Sequence, residues 1–140
     1  MIRAFEKEDI DRVMEIWLDT NKKAHSFIPD KYWEDNEKTV RNLILRAEIY
    51  LCERENIIVG FIGLMDDYIA GLFVADGFQS KGAGKEILDY VKTLKPSLNL
   101  YAYEKNSRAV NFYTREGFIK KDETLDEIHN EKEYHMEWKK

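Results

Sequence analysis

Apolar residues recur along the chain with two different periods, and each period predicts a type of element. The first stretch at helical spacing holds Ile10, Val13, Met14, Trp17 and Leu18. The segment TNKKAHSFIPD interrupts this spacing, and its proline, Pro29, predicts a boundary. A second amphipathic helix is predicted over residues 31–47. Its apolar face would consist of Trp33, Val40, Leu43, Ile44 and Ala47.

Strand patterns account for much of the remaining chain. A short strand is predicted at residues 2–5, and apolar runs at 49–54, 57–65 and 68–75 predict an antiparallel meander. The turns of this meander would be Glu55-Asn56 and Asp66-Asp67. Further strands are predicted at residues 98–103, 118–125 and 133–139, with a polar turn at 129–132 between the last two.

Two more helices complete the predicted order of elements. One covers residues 83–94 and ends before Pro96, and the other covers residues 107–116. Asn106 or Ser107 would cap the latter helix, and Gly117 fits the position just after its end. The order β-α-α-β-β-β-α-β-α-β-β indicates a mixed α/β (α+β) fold, and the length favours a single domain over residues 1–140.

Composition argues against several classes of protein. The net charge of −5 disfavours generic binding to nucleic acid. No stretch approaches the roughly 18 apolar residues of a membrane span, and the N-terminus lacks the pattern of a secretory signal. Cys52 is the only cysteine, so no internal disulfide is possible, and we expect a cytoplasmic protein without membrane partners. His129 and His135 have no ligand-spaced neighbours, so no metal site is expected.

The segment GFQSKGAGK, residues 77–85, joins a predicted strand to a predicted helix. The first N–H groups of a helix lack intrahelical partners, and glycines let a phosphate approach them closely. A Walker A motif is excluded at Ala83 and Gly84, and the dinucleotide fingerprint fails at Ile87. The pattern Q/R-x-x-G-x-G/A is met by residues 79–84. On this segment alone, a capping turn without a ligand remains an alternative.

A second motif lies downstream in LNLYAYEKNSRAVNFYTREGF, which contains N-x-x-A-x-x-F-Y-x-x-x-G-F. Its matching positions are Asn106, Ala109, Phe112, Tyr113, Gly117 and Phe118. With both motifs in this order, the sequence resembles the GNAT superfamily of acyl-CoA-dependent N-acyltransferases over nearly its whole length. The stretch KKAHSFIPDKYW is similar to small bacterial single-domain members. Asp76 and Ser80 depart from the proline and glycine that are common in the family.

The resemblance implies an N-acetyltransferase that uses acetyl-CoA as co-substrate and needs no metal. In the family, the loop amides hold the coenzyme pyrophosphate, the strand before the loop pairs with the pantetheine amides, and an asparagine binds the same arm. The corresponding residues are Leu72, Phe73, Val74, Gln79, Ser80, Lys81, Gly82, Ala83, Gly84, Lys85 and Asn106. The resemblance assigns the general acid to Tyr113 and counts this residue among the cofactor-binding residues as well. A phenol has a pKa near 10 and is therefore protonated at neutral pH, so it can protonate the leaving thiolate.

The acceptor cannot be identified from the sequence beyond a small-molecule or protein amine. Candidate acceptor-binding residues are His25, Tyr101 and Tyr103. Of the two tyrosines, we expect one to line the cleft and the other to be a core residue. Candidate bases are Glu53, Asp67 and His25, and a base acting through ordered water is an equal alternative. A second function stays open, a non-catalytic module that binds acyl-CoA as a sensor or partner domain. The resemblance also makes a homodimer an expectation, since dimers are frequent in the family.

Overall fold

The computed structural model describes residues 1–140. In chain order the elements are β1 (Ile2–Ala4), α1 (Ile10–Ala24), α2 (Asp30–Ile44), β2 (Glu48–Arg54), β3 (Ile57–Met65), β4 (Tyr68–Val74), α3 (Ala83–Leu94), β5 (Ser97–Tyr103), α4 (Ser107–Arg115), β6 (Ile119–Asp126) and β7 (Glu131–Lys139). A 3-10 turn at Lys7–Asp9 precedes α1. The predicted order of elements and the mixed α/β class are confirmed.

Helix α1 is longer than its apolar pattern predicts, because it continues through the polar residues after Leu18. Thr20 donates its hydroxyl to the Ile16 carbonyl at 2.7 Å, and Asn21 donates its amide to the Trp17 carbonyl at 2.9 Å. Both side chains are buried. These polar groups find their partners within the helix itself, so they do not end it.

Helix α2 is shorter than predicted and ends at Ile44, so the predicted extension to Ala47 is wrong. Leu43, expected on the apolar face, is 60% exposed, while its neighbour Ile44 is 6% exposed. Successive residues on a helix point about 100° apart, so only one of the two can face the sheet.

One sheet contains all seven strands in the order β1-β2-β3-β4-β5-β7-β6. Neighbouring strands are antiparallel except β4 and β5, which are parallel and paired at a single position, Tyr68 opposite Asn99. Beyond that pair β4 continues to Val74 and β5 to Tyr103 without pairing with each other. The sheet is therefore splayed between these two strands, and the gap positions the candidate site.

The outer strand β6 is solvated on both faces, since nearly all its residues are exposed. It pairs only with β7 and forms the edge of the sheet. The turn before β7 covers residues 127–130 and has Asn130 at φ 55°, so the predicted turn at 129–132 lies slightly too late.

Helices cover both faces of the sheet and make two apolar clusters. One cluster packs α3 against the sheet around Ile87, Leu88 and Leu100, and it also contains Tyr113. The other packs α1 and α2 against the opposite face around Ile16 and Phe61. Tyr113 is thus anchored in a packed core.

None of the helices has both the length and the apolar character needed to cross a membrane. Cys52 lies buried in β2, and burial raises the pKa of its thiol, as its apolar neighbours predict.

Candidate active site

A cleft of about 820 Å³ lies beside the gap between β4 and β5. The end of α1, strand β4, the glycine loop with the start of α3, and helix α4 supply its walls. Ten of the predicted cofactor residues line it: Leu72, Phe73, Val74, Gln79, Ser80, Gly82, Gly84, Lys85, Asn106 and Tyr113. The structure therefore brings the two sequence motifs together around one cavity.

Two of the predicted cofactor residues point elsewhere. The Lys81 side chain lines a separate depression of about 490 Å³ that it shares with Met1 and Phe78. Ala83 is 1% exposed and belongs to the core. The buried side chain of Ala83 leaves only its backbone for the contact that the resemblance implies.

The N-terminus of α3 is open toward the cleft. Gly82 occupies the cap position at φ 85°, a left-handed conformation that favours glycine, and no side chain caps this helix end. The first N–H groups of α3 therefore have no intrahelical or capping acceptor. Together with the helix dipole they form a site for an anion such as a phosphate.

Two arginines hold the glycine loop in place. Arg108 donates to Gln79 Oε1 at 2.6 Å and to Ser80 Oγ at 2.9 Å, and Gln79 in turn donates to the Val74 carbonyl at 3.0 Å. From the other side, Arg54 donates to the Lys81 carbonyl at 3.0 Å. The loop is therefore fixed in shape by side chains of α4 and β2.

Sequence reasoning missed Arg108, although one signal was available. A cation in the first turn of a helix opposes the helix dipole, so such a residue usually has another partner. Here the partners are the two loop side chains, and the guanidinium also lines the cleft.

Asn106 connects helix α4 to the loop after α1. Its Oδ1 accepts from the Ala109 N–H at 3.2 Å and so caps α4, as predicted. Its remaining amide atom, Nδ2, lies 3.2 Å from His25 Nε2. Because Nδ2 can only donate, His25 Nε2 accepts, and the neutral ring carries its proton on Nδ1. That Nδ1 is buried and has no partner.

We expect Asn106→Ala to lower the free energy of unfolding by about 1 kcal/mol, because the Ala109 N–H loses its capping acceptor. Urea denaturation measures the loss. Asn106→Asp, which keeps an oxygen for the cap, should stay closer to the wild type. Equal losses in the two variants would contradict the capping role.

Burial lowers the pKa of His25 to about 4, below the value near 6.5 of an unfolded histidine. The folded state therefore takes up its proton at lower pH than the unfolded state. The stability linked to neutral His25 is complete above about pH 6.5 and falls as the pH drops toward about 4. His25 is consequently uncharged at neutral pH, and its Nε2 is occupied by Asn106.

The same linkage predicts that unfolding free energy falls by about 2 kcal/mol more in the wild type than in His25→Gln between about pH 7 and about pH 5. Glutamine can still accept from Asn106 but cannot titrate. Urea denaturation of both proteins at the two pH values tests this. Parallel losses would show that His25 is not the group responsible.

Tyr113, on α4, is one of the residues that line the cleft. It is 7% exposed, and its ring contacts Phe112 and Phe118 edge-on, with centroids 5.2 and 5.3 Å away. Burial raises the pKa of its phenol, so the hydroxyl is protonated at neutral pH. Its packing fixes the ring where the hydroxyl can act as a proton donor.

Only one of the three predicted acceptor-binding residues lies at the cleft. His25 lines the cleft, whereas Tyr101 and Tyr103 do not. Tyr101 is 43% exposed and stacks on His135, with centroids 4.7 Å apart. Tyr103 is half-buried, and its ring lies 5.2 Å from that of His25. Neither tyrosine is a core residue, so the expectation that one of them is core is wrong.

The other candidate bases are engaged away from the cleft. Glu53 pairs with Arg3 at 2.7 Å near the N-terminal edge of the sheet. Asp67 lies in the turn before β4 and accepts from the Asn99 amide at 3.2 Å. Neither carboxylate lines the cavity.

A family profile described as an acetyltransferase (GNAT) domain matches residues 46–120 of this chain. Peptidyl-lysine N-acetyltransferase YiaC of Escherichia coli strain K12 is 34% identical over 120 residues, which is 84% of this chain and 82% of that protein. Peptidyl-lysine N-acetyltransferase YjaB of Salmonella typhimurium is 27% identical over 118 residues, covering 84% and 81%.

Solved structures share the fold. The solution structure of apo YjaB from Escherichia coli has a TM-score of 0.87 at 23% identity and covers 99% of this chain and 96% of its own. A PaiA N-acetyltransferase from Thermoplasma acidophilum in complex with coenzyme A has a TM-score of 0.84 at 20% identity, covering 100% and 98%.

Proposed function

Because this chain belongs to the GNAT family of acetyltransferases, we propose that it transfers the acetyl group of acetyl-CoA directly to a primary amine, the side chain of a protein lysine. One observation carries the proposal. The uncapped N-terminus of α3 and the Tyr113 phenol face the same cleft, so an anion site and a proton donor lie within one cavity.

The cleft offers each part of acetyl-CoA a chemically suitable partner. The pyrophosphate would lie against the free amides at Gly82 to Gly84, with Lys85 and Arg108 adding positive charge at the rim. The pantetheine arm would follow the backbone of Leu72 to Val74 on the side of β4 that faces the gap, as an added strand does. Both placements use groups that the fold leaves open.

The reaction needs a proton donor at the sulfur and a hydrogen-bond donor at the thioester carbonyl oxygen. A backbone N–H near Phe73 or Val74 would polarise the thioester carbonyl. The neutral amine attacks the carbonyl carbon, a C–N bond forms and the C–S bond breaks. Tyr113 gives its phenolic proton to the departing sulfur, and the proton lost by nitrogen as the amide forms restores the phenol. The products are the acetylated amine and free coenzyme A thiol.

The choice of lysine rests on the relatives. YiaC and YjaB carry the description of peptidyl-lysine N-acetyltransferases, and this chain covers 82% and 81% of their lengths. A protein acceptor also suits a protein with net charge −5, because a lysine side chain brings a positive charge.

Thiol release from acetyl-CoA across a panel of amines tests the proposal. The panel would contain a lysine peptide with a blocked N-terminus, a peptide whose N-terminus is its sole amine, a polyamine and a free amino acid. The lysine peptide is expected to give the highest kcat/KM. Calorimetric binding of acetyl-CoA without thiol release from any amine would instead favour the non-catalytic acyl-CoA-binding module.

A further inference from the structure

Glu133 is a carboxylate that the site described above leaves without a role. It lies on β7, directly opposite Tyr103 of β5 and Thr124 of β6. Its carboxylate has no hydrogen bond or ion pair, and the charges that shift its pKa include no cation. The neighbouring acids on the same strand are paired, Glu131 with Lys105 at 3.1 Å and Glu137 with Lys139 at 3.3 Å.

The surroundings of Glu133 are aromatic and acidic. Its charge raises the pKa of both Tyr68 and Tyr103, so the two phenols lie within its electrostatic reach. Tyr103 donates its hydroxyl to Asp126 at 2.6 Å, and that carboxylate adds a second negative charge. Burial and Asp126 raise the pKa of Glu133 itself. No cation of the protein compensates this half-buried charge, so a cation supplied by a ligand would offset part of its desolvation cost.

Glu133 lies on β7, the strand next to β5, and β5 borders the gap in the sheet. Tyr103 and Glu133 share one face of the splayed sheet, because they are a cross-strand pair. The Tyr103 ring lies 5.2 Å from His25, and His25 lies 3.2 Å from Asn106 in the cleft wall. An amine that passes along Tyr103 would therefore approach the gap from the side opposite α3.

We propose that Glu133 binds the ammonium group of the lysine acceptor and takes the proton that must leave before attack. The inference rests on the proposed acetyl transfer and deepens it by naming the residue that binds the acceptor. The N–H bond of the ammonium breaks, its electron pair stays on nitrogen, and the proton binds the Glu133 carboxylate. The neutral amine then attacks, and the carboxyl proton returns to solvent after the acetylated product leaves.

The surroundings of Glu133 favour the transfer of a proton from the ammonium group to the carboxylate. Removal from water lowers the pKa of an ammonium and raises that of a carboxylate, so the two values approach each other. The rings of Tyr68 and Tyr103 can also stabilise a cation over their faces. Among the candidate bases named from the sequence, Glu53 differs from Glu133 because Arg3 pairs with its carboxylate.

The test compares two acceptors that differ in charge. One is a lysine peptide, and the other is the same peptide with an aminooxy group in place of the side-chain amine, which is uncharged at neutral pH. Glu133→Gln removes the charge while keeping the shape. Its kcat/KM for the lysine peptide should fall about 100-fold, whereas that for the aminooxy peptide should fall less than about threefold.

Two controls separate this role from damage to the fold. Glu137→Gln removes a charge from the same face of the same strand and should leave both acceptors unaffected. The affinity of Glu133→Gln for acetyl-CoA should equal that of the wild type by calorimetry. Equal losses on the two acceptors, or no loss on lysine, would overturn the role of Glu133. A wild type inactive on every amine would instead overturn the proposed acetyl transfer.

Discussion

Tyr113→Phe should lower kcat for the lysine peptide by about 100- to 1000-fold and leave acetyl-CoA binding unchanged. The phenol is anchored in the core and lines the cleft. Its hydroxyl makes no hydrogen bond within the protein, so its removal leaves no partner unsatisfied, and stability should be unaffected. Steady-state thiol release and calorimetry measure the two quantities.

Tyr90→Phe is the matched control, because it deletes a phenol from α3 outside the cleft. This variant should have the activity of the wild type. Unchanged turnover in Tyr113→Phe would reject the general-acid role, and a loss of acetyl-CoA affinity in that variant would indicate a binding role instead.

The second large effect is expected from Gly84→Asp at the start of α3. A Cβ at this position would lie 3.4 Å from the Phe112 ring, so the side chain fits with little adjustment. A negative charge in the first turn favours the helix, so stability should hold or rise. That charge would face the expected pyrophosphate, and like-charge contact costs several kcal/mol. The Kd for acetyl-CoA should therefore increase by roughly 100-fold.

Gly84→Asn has nearly the same size as Gly84→Asp without the charge. Its Kd for acetyl-CoA should rise much less, and the comparison by calorimetry separates charge from bulk. If the two variants bound acetyl-CoA equally well, the anion site would not be at this helix end.

Local patterns were sufficient to predict the order of elements. Periodicity depends on neighbours in the chain, which is why α3 and the β2–β4 meander were predicted nearly to their observed bounds. The ends of α1 and α2 depended on tertiary contacts. Thr20 and Asn21 stay helical because their side chains bond back to the helix, and Leu43 is exposed because Ile44 takes the position against the sheet.

The candidate site likewise contains residues that a local motif predicts and contacts that depend on the tertiary structure. The glycine loop and Asn106 could be predicted, because their motifs lie in short continuous segments. The contact of Arg108 with Gln79, and that of Asn106 with His25, join residues distant in the chain. The position of Glu133 beside Tyr103 depends on the pairing of β5 with β7, which no local pattern specifies.

The most direct test of the account is mass spectrometry of a lysine peptide after incubation with acetyl-CoA and the wild-type protein. The account predicts one acetyl group on the lysine ε-nitrogen, formed in step with the release of coenzyme A thiol and faster than without protein. Acetyl-CoA binding with no acetylation above the protein-free rate would contradict it.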